Sequence, residues 1–251
     1  MTKSEYNARK LKIIKEIYNE IIENYAELNR VLEFKNPVEV YSLYTKLLHK
    51  GFFSKNGHFS YNENLEMLDF YNFLGLDVIN GNGVCRHFCS MLKDIYDKLQ
   101  FNNEIMLVHF YELNDDVKKQ HFRGNHTINL VEDKGISYYL DPSNSFIWDK
   151  VSKNIFVTYK NRNIEVASFS YFFSCYFAFH NCKNFQLKNA KNIGYLMEYS
   201  SSNFSDCLKL DDKVNKIYKN NLDIFESLER ENRVLYNEID HNLSKMKLKR
   251  K

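Results

Sequence analysis

Apolar residues recur at spacings of three and four near the amino-terminal end of the chain, which is the period of an amphipathic α-helix. The pattern predicts a long helix over Glu5–Phe34 and a second helix over Val38–Lys50. Pro37 separates the two, because proline restricts the residue before it and has no amide donor. Gly51 then ends the second helix, and we expect a loop over Phe53–Asn64.

The same period returns at the other end of the chain. Apolar residues at heptad-like spacings predict a helix over Asp211–Leu248, with Asn221 and Glu231 interrupting the apolar seam. Such helices usually pack inside one protein, and here the two ends of the chain could pair with each other. Binding of a partner, or self-association through these terminal helices, is the alternative.

The centre of the chain mixes both periods. A helical pattern over Gly83–Leu99 opens directly after the turn sequence Asn80-Gly81-Asn82. Alternating and strand-like segments follow, with a polar loop predicted over Asn114–Asn125 and a hairpin turn at Asp133-Lys134-Gly135. The predicted strands are Ile105–Leu113, His126–Glu132, Ile136–Leu140, Ile155–Tyr159 and Ile164–Phe169, followed by an aromatic run to His180. The fold class predicted is therefore α+β.

Charge and cysteine content narrow the class of protein. The 251 residues contain 35 Lys and Arg against 32 Asp and Glu, but the last eight residues, Ser244–Lys251, carry five positive charges and no acid. The body is thus nearly neutral, which disfavours a nucleic-acid partner. The most apolar stretch, Phe169–Phe179, is too short to span a bilayer. Five cysteines without a secretory leader favour a cytoplasmic protein with reduced thiols.

Three central residues fit the chemistry of a nucleophilic thiol. Cys85 stands in the first predicted turn of a helix, where the helix amino terminus lowers a thiol pKa. His126 opens a predicted strand and Asp141 follows the next one, so a hairpin would bring them together. A histidine then moves the proton, and a carboxylate orients its ring. The Cys85 amide would help to form an oxyanion hole, with Asn80 or Asn82 as the second donor.

Each of these residues also has a simpler interpretation. Cys85 could be a small buried apolar residue, and Asp141 could serve only the turn before Pro142. His121, in the predicted polar loop, competes with His126 as the base; a residue on a strand is more rigidly placed, which favours His126. We interpret Cys89 as a packing residue, and His109 and His180 as core histidines. The spacing of Cys85, His87 and Cys89 does not suit zinc.

Three segments resemble the transglutaminase-like superfamily of cysteine enzymes. The segment Gly83–Leu92 resembles the nucleophile helix, which has glycine two residues before the cysteine and a small residue four after it. His126–Glu132 resembles the histidine strand, and Tyr138–Ser143 resembles the Asp-Pro-Thr/Ser ending. The match covers about Gly75 to Asn144. One departure is Ile128, where the family often has an aromatic residue. Arylamine acetyltransferases use the same ordered trio, but their Arg-Gly-Gly and Asp-Val-Gly-Phe motifs are absent here.

The resemblance implies a papain-like core, with a nucleophile helix packed on an antiparallel sheet and flanked by amino- and carboxy-terminal helices. We expect a helical segment over residues 1–52, a catalytic core over 53–205 and a second helical segment with the basic tail over 206–251. The implied activity is a cysteine protease or amidase, or a related acyltransferase, acting on a protein or peptide through Cys85, His126 and Asp141. A catalytically silent interaction module is the alternative. We expect no cofactor and no metal.

Overall fold

A computed structural model describes residues 1–58, 60–61, 75–113, 120–140, 142, 155–159, 162–166, 176–180 and 209–246. Its helices are α1 (Lys3–Val31), α2 (Pro37–His49), α3 (Leu76–Ile79), α4 (Cys85–Lys98), α5 (209–220) and α6 (Leu222–Ser244). Its strands are β1 (Ser60–Tyr61), β2 (Asn82–Gly83), β3 (Asn102–Leu113), β4 (Gln120–Asp133), β5 (Ile136–Leu140), β6 (Ile155–Tyr159), β7 (Arg162–Val166) and β8 (Tyr176–His180).

Six of the strands form one antiparallel sheet in the order β7-β6-β3-β4-β5-β8, and β1 and β2 pair in parallel as a separate two-stranded sheet. The predicted hairpin is present: β4 and β5 pair from Asp133 opposite Ile136 to Asn129 opposite Leu140. Gly135 occupies its turn with φ +80°, a conformation that favours glycine. The combination of helices with an antiparallel sheet confirms the α+β class.

The amino-terminal helices begin and end where local chemistry dictates. Thr2 and Glu5 form a reciprocal cap at the start of α1, and Asn36 and Glu39 do the same for α2. In each cap the glutamate accepts from the backbone amide that precedes the helix. α1 ends at Val31, short of the predicted Phe34, because the chain reverses through a positive φ at Glu33.

Two loop predictions in the centre are corrected. Residues 120–125 belong to β4, not to a loop over Asn114–Asn125; residues 114–119 lie outside the described residues. Pairing with β3 continues to Gln120 opposite Leu113, past an irregularity at Phe110. These ladder hydrogen bonds join backbone groups, so the polar side chains do not prevent strand formation. The predicted loop Phe53–Asn64 likewise contains β1, which is stabilised by pairing with β2.

The carboxy-terminal helix predicted over Asp211–Leu248 is two helices. Asn221 breaks it and donates from its side-chain amide to the carbonyl oxygen of Ile217, at 2.8 Å. α6 then packs against α1, with Phe225, Leu235 and Ile239 buried. The terminal helices therefore pair within one chain.

One hydrophobic cluster joins the six helices to β4 and β5, and α4 lies at its centre. Three buried tyrosines donate their hydroxyl groups to backbone carbonyl oxygens of α2 and α4: Tyr25 to Val40, Tyr44 to Phe88 and Tyr96 to Pro37. Because each buried hydroxyl has an acceptor, the large rings are buried without an unpaired polar group. None of the helices described here is both long and apolar enough to cross a membrane.

Replacement of Gly75 by alanine tests the packing between α1 and α3. A methyl group there would lie 2.2 Å from the hydroxyl oxygen of Tyr18, which donates to Asp94 at 2.5 Å and so cannot retreat freely. We expect Gly75→Ala to lower the free energy of unfolding by about 1–3 kcal/mol in urea titrations. Val31→Ala, at a side chain that is 61% exposed, is the control and should change it by less than about 0.5 kcal/mol. An unchanged unfolding midpoint for Gly75→Ala would contradict this packing.

Candidate functional site

Cys85 is the first residue of α4 and is half-buried. The preceding turn is held against the loop 51–58. Gly81 adopts φ +78°, and a Cβ there would lie 2.6 Å from the Ser54 hydroxyl oxygen. The Lys55 amide donates to the Ile79 carbonyl oxygen at 2.9 Å. This turn therefore fixes the direction in which α4 leaves the loop, and with it the position of Cys85.

The loop 51–58 is in turn held by the last helix. Arg233 donates from its guanidinium to the carbonyl oxygen of Lys55 at 2.8 Å, and the Tyr236 hydroxyl donates to that of Phe52 at 3.2 Å. Asp240 adds an ion pair with the Lys55 ammonium, 3.1 Å away. α6, which is distant in sequence, therefore supports the turn from which Cys85 projects.

His87 caps the amino terminus of α4. Its Nδ1 accepts from the Val84 amide at 2.9 Å, so the residue before Cys85 is tied to the first turn of the helix. His87 is fully buried. A Cβ at Gly83 would lie 3.0 Å from the His87 Cβ and 3.4 Å from its Nδ1. A larger residue two positions before the cysteine would therefore press on the histidine two positions after it.

The hydrogen bond to Nδ1 fixes the protonation state of His87. An Nδ1 that accepts from an amide carries no proton, so the proton of the neutral ring is on Nε2, which lies 3.7 Å from the Asp77 carboxylate on α3. Burial lowers the pKa of His87 to about 4, and the adjacent Arg86 guanidinium acts in the same direction. The Asp77 carboxylate favours the charged ring, but a second proton would break the cap. At neutral pH we therefore take His87 as uncharged.

The packing of α4 on the sheet places the first turns of this helix against the middle of β4. One turn after Cys85, the Cys89 thiol donates to the Thr127 carbonyl oxygen at 3.2 Å, and the Asn129 amide donates to the Cys89 carbonyl oxygen at 2.9 Å. Asn102, just after α4, pairs with Glu132. The 14 residues of α4 span the length of about six strand residues. The end of α4 thus lies toward Glu132 and its start toward the middle of β4.

The predicted base is in β4, opposite Val108. His121, its competitor, is also in β4 and not in a loop, opposite Glu112. Placement on a strand therefore does not distinguish the two histidines. Along β4, His126 is one position from Thr127, the residue that Cys89 contacts, and His121 is six positions from it.

The strand register adds a third histidine. Positions two apart on a strand share one face, as do directly opposite residues of an antiparallel pair. Asn129 contacts α4. The alternate positions counted from Asn129 therefore form the set that contacts α4, and this set includes Asn125 on β4 and, directly opposite it on β3, His109. His126 belongs to the alternate set with Ile128. By this register His109 lies in the set of positions that contacts α4, and His126 lies in the alternate set.

Of the remaining predicted site residues, Asp141 lies outside the described residues; Leu140, before it in sequence, is opposite Asn129. Asn82 donates from its side-chain amide to the Asn80 carbonyl oxygen at 3.2 Å, which closes the turn before Cys85.

Sequence analysis missed Asp77 and the capping role of His87. No sequence signal marked them, because Val84 cannot accept a hydrogen bond and His87 is not the glutamate or glutamine of a reciprocal cap.

Cys89 is fully buried, as a packing residue should be. Within the described ranges, no group of three or more His, Cys, Asp or Glu side chains is arranged to hold a metal ion.

Comparison of the chain with protein-family models, with curated proteins and with solved structures found no match.

Protonation of His87 should give the stability of the protein a characteristic pH dependence. The unfolded chain binds this proton below about pH 6.5 and the folded protein only below about pH 4. The free energy of unfolding should therefore fall as the pH drops through this window, by up to roughly 3 kcal/mol, and level off below it. His87→Gln keeps an acceptor for the Val84 amide but does not titrate, so this decline should be absent.

Urea titrations of the native protein and of His87→Gln, from neutral pH down to about pH 4, measure the difference between their free energies of unfolding. Asp94 and Asp211, whose carboxyl pKa values are raised by burial, contribute equally to both proteins and cancel. Parallel pH profiles for the two proteins would contradict the assignment of His87 as a buried neutral cap.

Proposed function

We propose that the chain is a thiol-dependent acyl-transfer enzyme that hydrolyses or transfers a peptide or side-chain amide, most simply a cysteine protease or amidase. The observation that carries the proposal is the position of Cys85 at the start of α4, one turn before the contact of Cys89 with Thr127. His126 is the residue before Thr127 on β4 and belongs to the alternate set of positions, so its approach to Cys85 is the part of the proposal that the His126→Ala and His109→Ala labelling decides. A helix amino terminus stabilises a thiolate, and a nearby imidazole is the base that such a nucleophile needs.

The proposed mechanism assigns one role to each residue. His126 takes the thiol proton, and the Cys85 sulfur attacks the amide carbonyl carbon to form a tetrahedral intermediate. The imidazolium returns the proton to the leaving nitrogen as the C–N bond breaks, which leaves a thioester. Water, deprotonated by the same imidazole, then cleaves the C–S bond and releases the acid. Asp141 would hold the ring, and the Cys85 amide, with Asn80 or Asn82, would bind the oxyanion.

The resemblance to transglutaminase-like enzymes supports the class of substrate. It rests on the ordered trio of Cys85, His126 and Asp141, and it implies a papain-like core and a protein or peptide substrate. An amine in place of water would give cross-linking, and we favour hydrolysis. Catalysis by a free thiol suits the cytoplasm, where thiols stay reduced. No cofactor takes part in this mechanism.

A catalytically silent module that binds a partner through its helical ends is the second candidate. One observation favours it: a groove of 620 Å³ between α1 and α6, with Leu28, Val31, Ile224 and Leu228 among its lining residues. Val31 and Ile224 are exposed. Such a module would keep its function after Cys85→Ala, whereas the proposed enzyme would lose amide turnover completely.

The test of the proposal is the pH dependence of iodoacetamide labelling at each of the five cysteines, followed by peptide mass spectrometry. Cys85 alone should react rapidly at or below neutral pH, because its thiolate is stabilised. Cys89, which is fully buried, should remain unlabelled. His126→Ala should slow the labelling of Cys85 by about tenfold or more at neutral pH.

His109→Ala and His121→Ala are the matched controls and should leave the labelling rate of Cys85 unchanged. A loss of rate with His109→Ala alone would transfer the role of base to that residue and overturn the proposed triad. A Cys85 that titrates as an ordinary thiol, with a pKa of about 8.5, would overturn the enzyme and favour the binding module.

A further inference from the structure

Three helices of the described structure share one feature at their start: the side chain at the third helical position accepts from the amide before the helix. At α1 this acceptor is Glu5 and at α2 it is Glu39, both carboxylates. At α4 it is His87, a neutral ring. α4 is also the helix that begins with a cysteine and has no acidic residue in its first turn.

The difference matters because a charge in the cap acts on the first residue of the helix. A carboxylate in the first turn satisfies the amide and also neutralises the positive potential of the helix amino terminus. For α1 and α2 that is purely stabilising. For a helix whose first residue must ionise, the same carboxylate would repel the thiolate. A neutral acceptor gives the hydrogen bond without the charge.

We propose that His87 is a positioning residue for Cys85: it fixes the backbone of the turn through the Val84 amide while keeping an anion out of the first turn of α4. This inference rests on the proposed function, because it concerns the thiolate of Cys85. His87 does not touch the reacting atoms. It acts through the amide that precedes the nucleophile.

The surroundings of His87 agree with this role. Asp77, from α3, lies on the far side of the ring, 3.7 Å from Nε2, so the imidazole separates that carboxylate from the helix amino terminus. Arg86, on α4 itself, is the charged neighbour in sequence and adds positive potential. Gly83 leaves the space that the ring fills.

The experiment isolates the charge at position 87. Glutamate and glutamine are isosteric and both can accept from the Val84 amide, but glutamate would face Asp77. Both variants are therefore made with Asp77→Asn: Asp77→Asn/His87→Gln and Asp77→Asn/His87→Glu. The readouts are urea unfolding and the rate of iodoacetamide labelling of Cys85 against pH. We expect labelling at neutral pH to be about three- to tenfold slower with glutamate, and its pH profile to move to higher pH.

Equal labelling profiles for the two folded proteins would overturn the inference. If the glutamate variant does not fold, single variants of the native chain decide: His87→Gln should keep the native labelling rate of Cys85, and His87→Leu, which lacks an acceptor, should lose about threefold or more. Equal rates for these two would likewise overturn it. Failure of the proposed function would be seen separately, as the absence of amide turnover by the native chain. It does not affect the comparison of labelling rates between the His87→Gln and His87→Glu variants.

Discussion

The side-chain amide of Asn129 donates to the backbone carbonyl oxygen of Cys89 at 2.9 Å, in an environment closed to solvent. Together with the bond from the Cys89 thiol to Thr127, it fixes α4 on β4 in one register. A buried hydrogen bond of this kind is costly to break, because the amide would lose its partner without gaining water. The position of α4 along the sheet follows from this contact.

The terminal helices also hold the turn before Cys85 in place. Arg233 and Tyr236 of α6 bind carbonyl oxygens of the loop 51–58, and that loop packs against Gly81 in the turn before Cys85. α1 contacts both α4 and α6. These helices have no counterpart in the resemblance to thiol enzymes, yet they hold the nucleophile turn in place. Substitutions in α6 should therefore be interpreted with the candidate site in mind.

Sequence reasoning succeeded where local chemistry decides the structure. Ile136–Leu140 could be predicted because Gly135 marks the turn, and the start of α4 because glycines precede it. It failed where a distant partner decides. Residues 120–125 are mostly polar, and only pairing with β3 makes them a strand. The capping role of His87 depends on its contact with Gly83 and on Asp77 of α3. The helical periodicity of the sequence reveals neither contact.

The most direct test of the central claim is acylation of the native protein by an activated ester such as p-nitrophenyl acetate, with the acetylated residue located by peptide mass spectrometry. A nucleophilic Cys85 should give a rapid burst of one nitrophenolate per chain, with a single acetyl group on the Cys85 peptide and none after Cys85→Ala. Acetylation absent from Cys85, or spread over lysines and the other cysteines without a burst, would contradict the account.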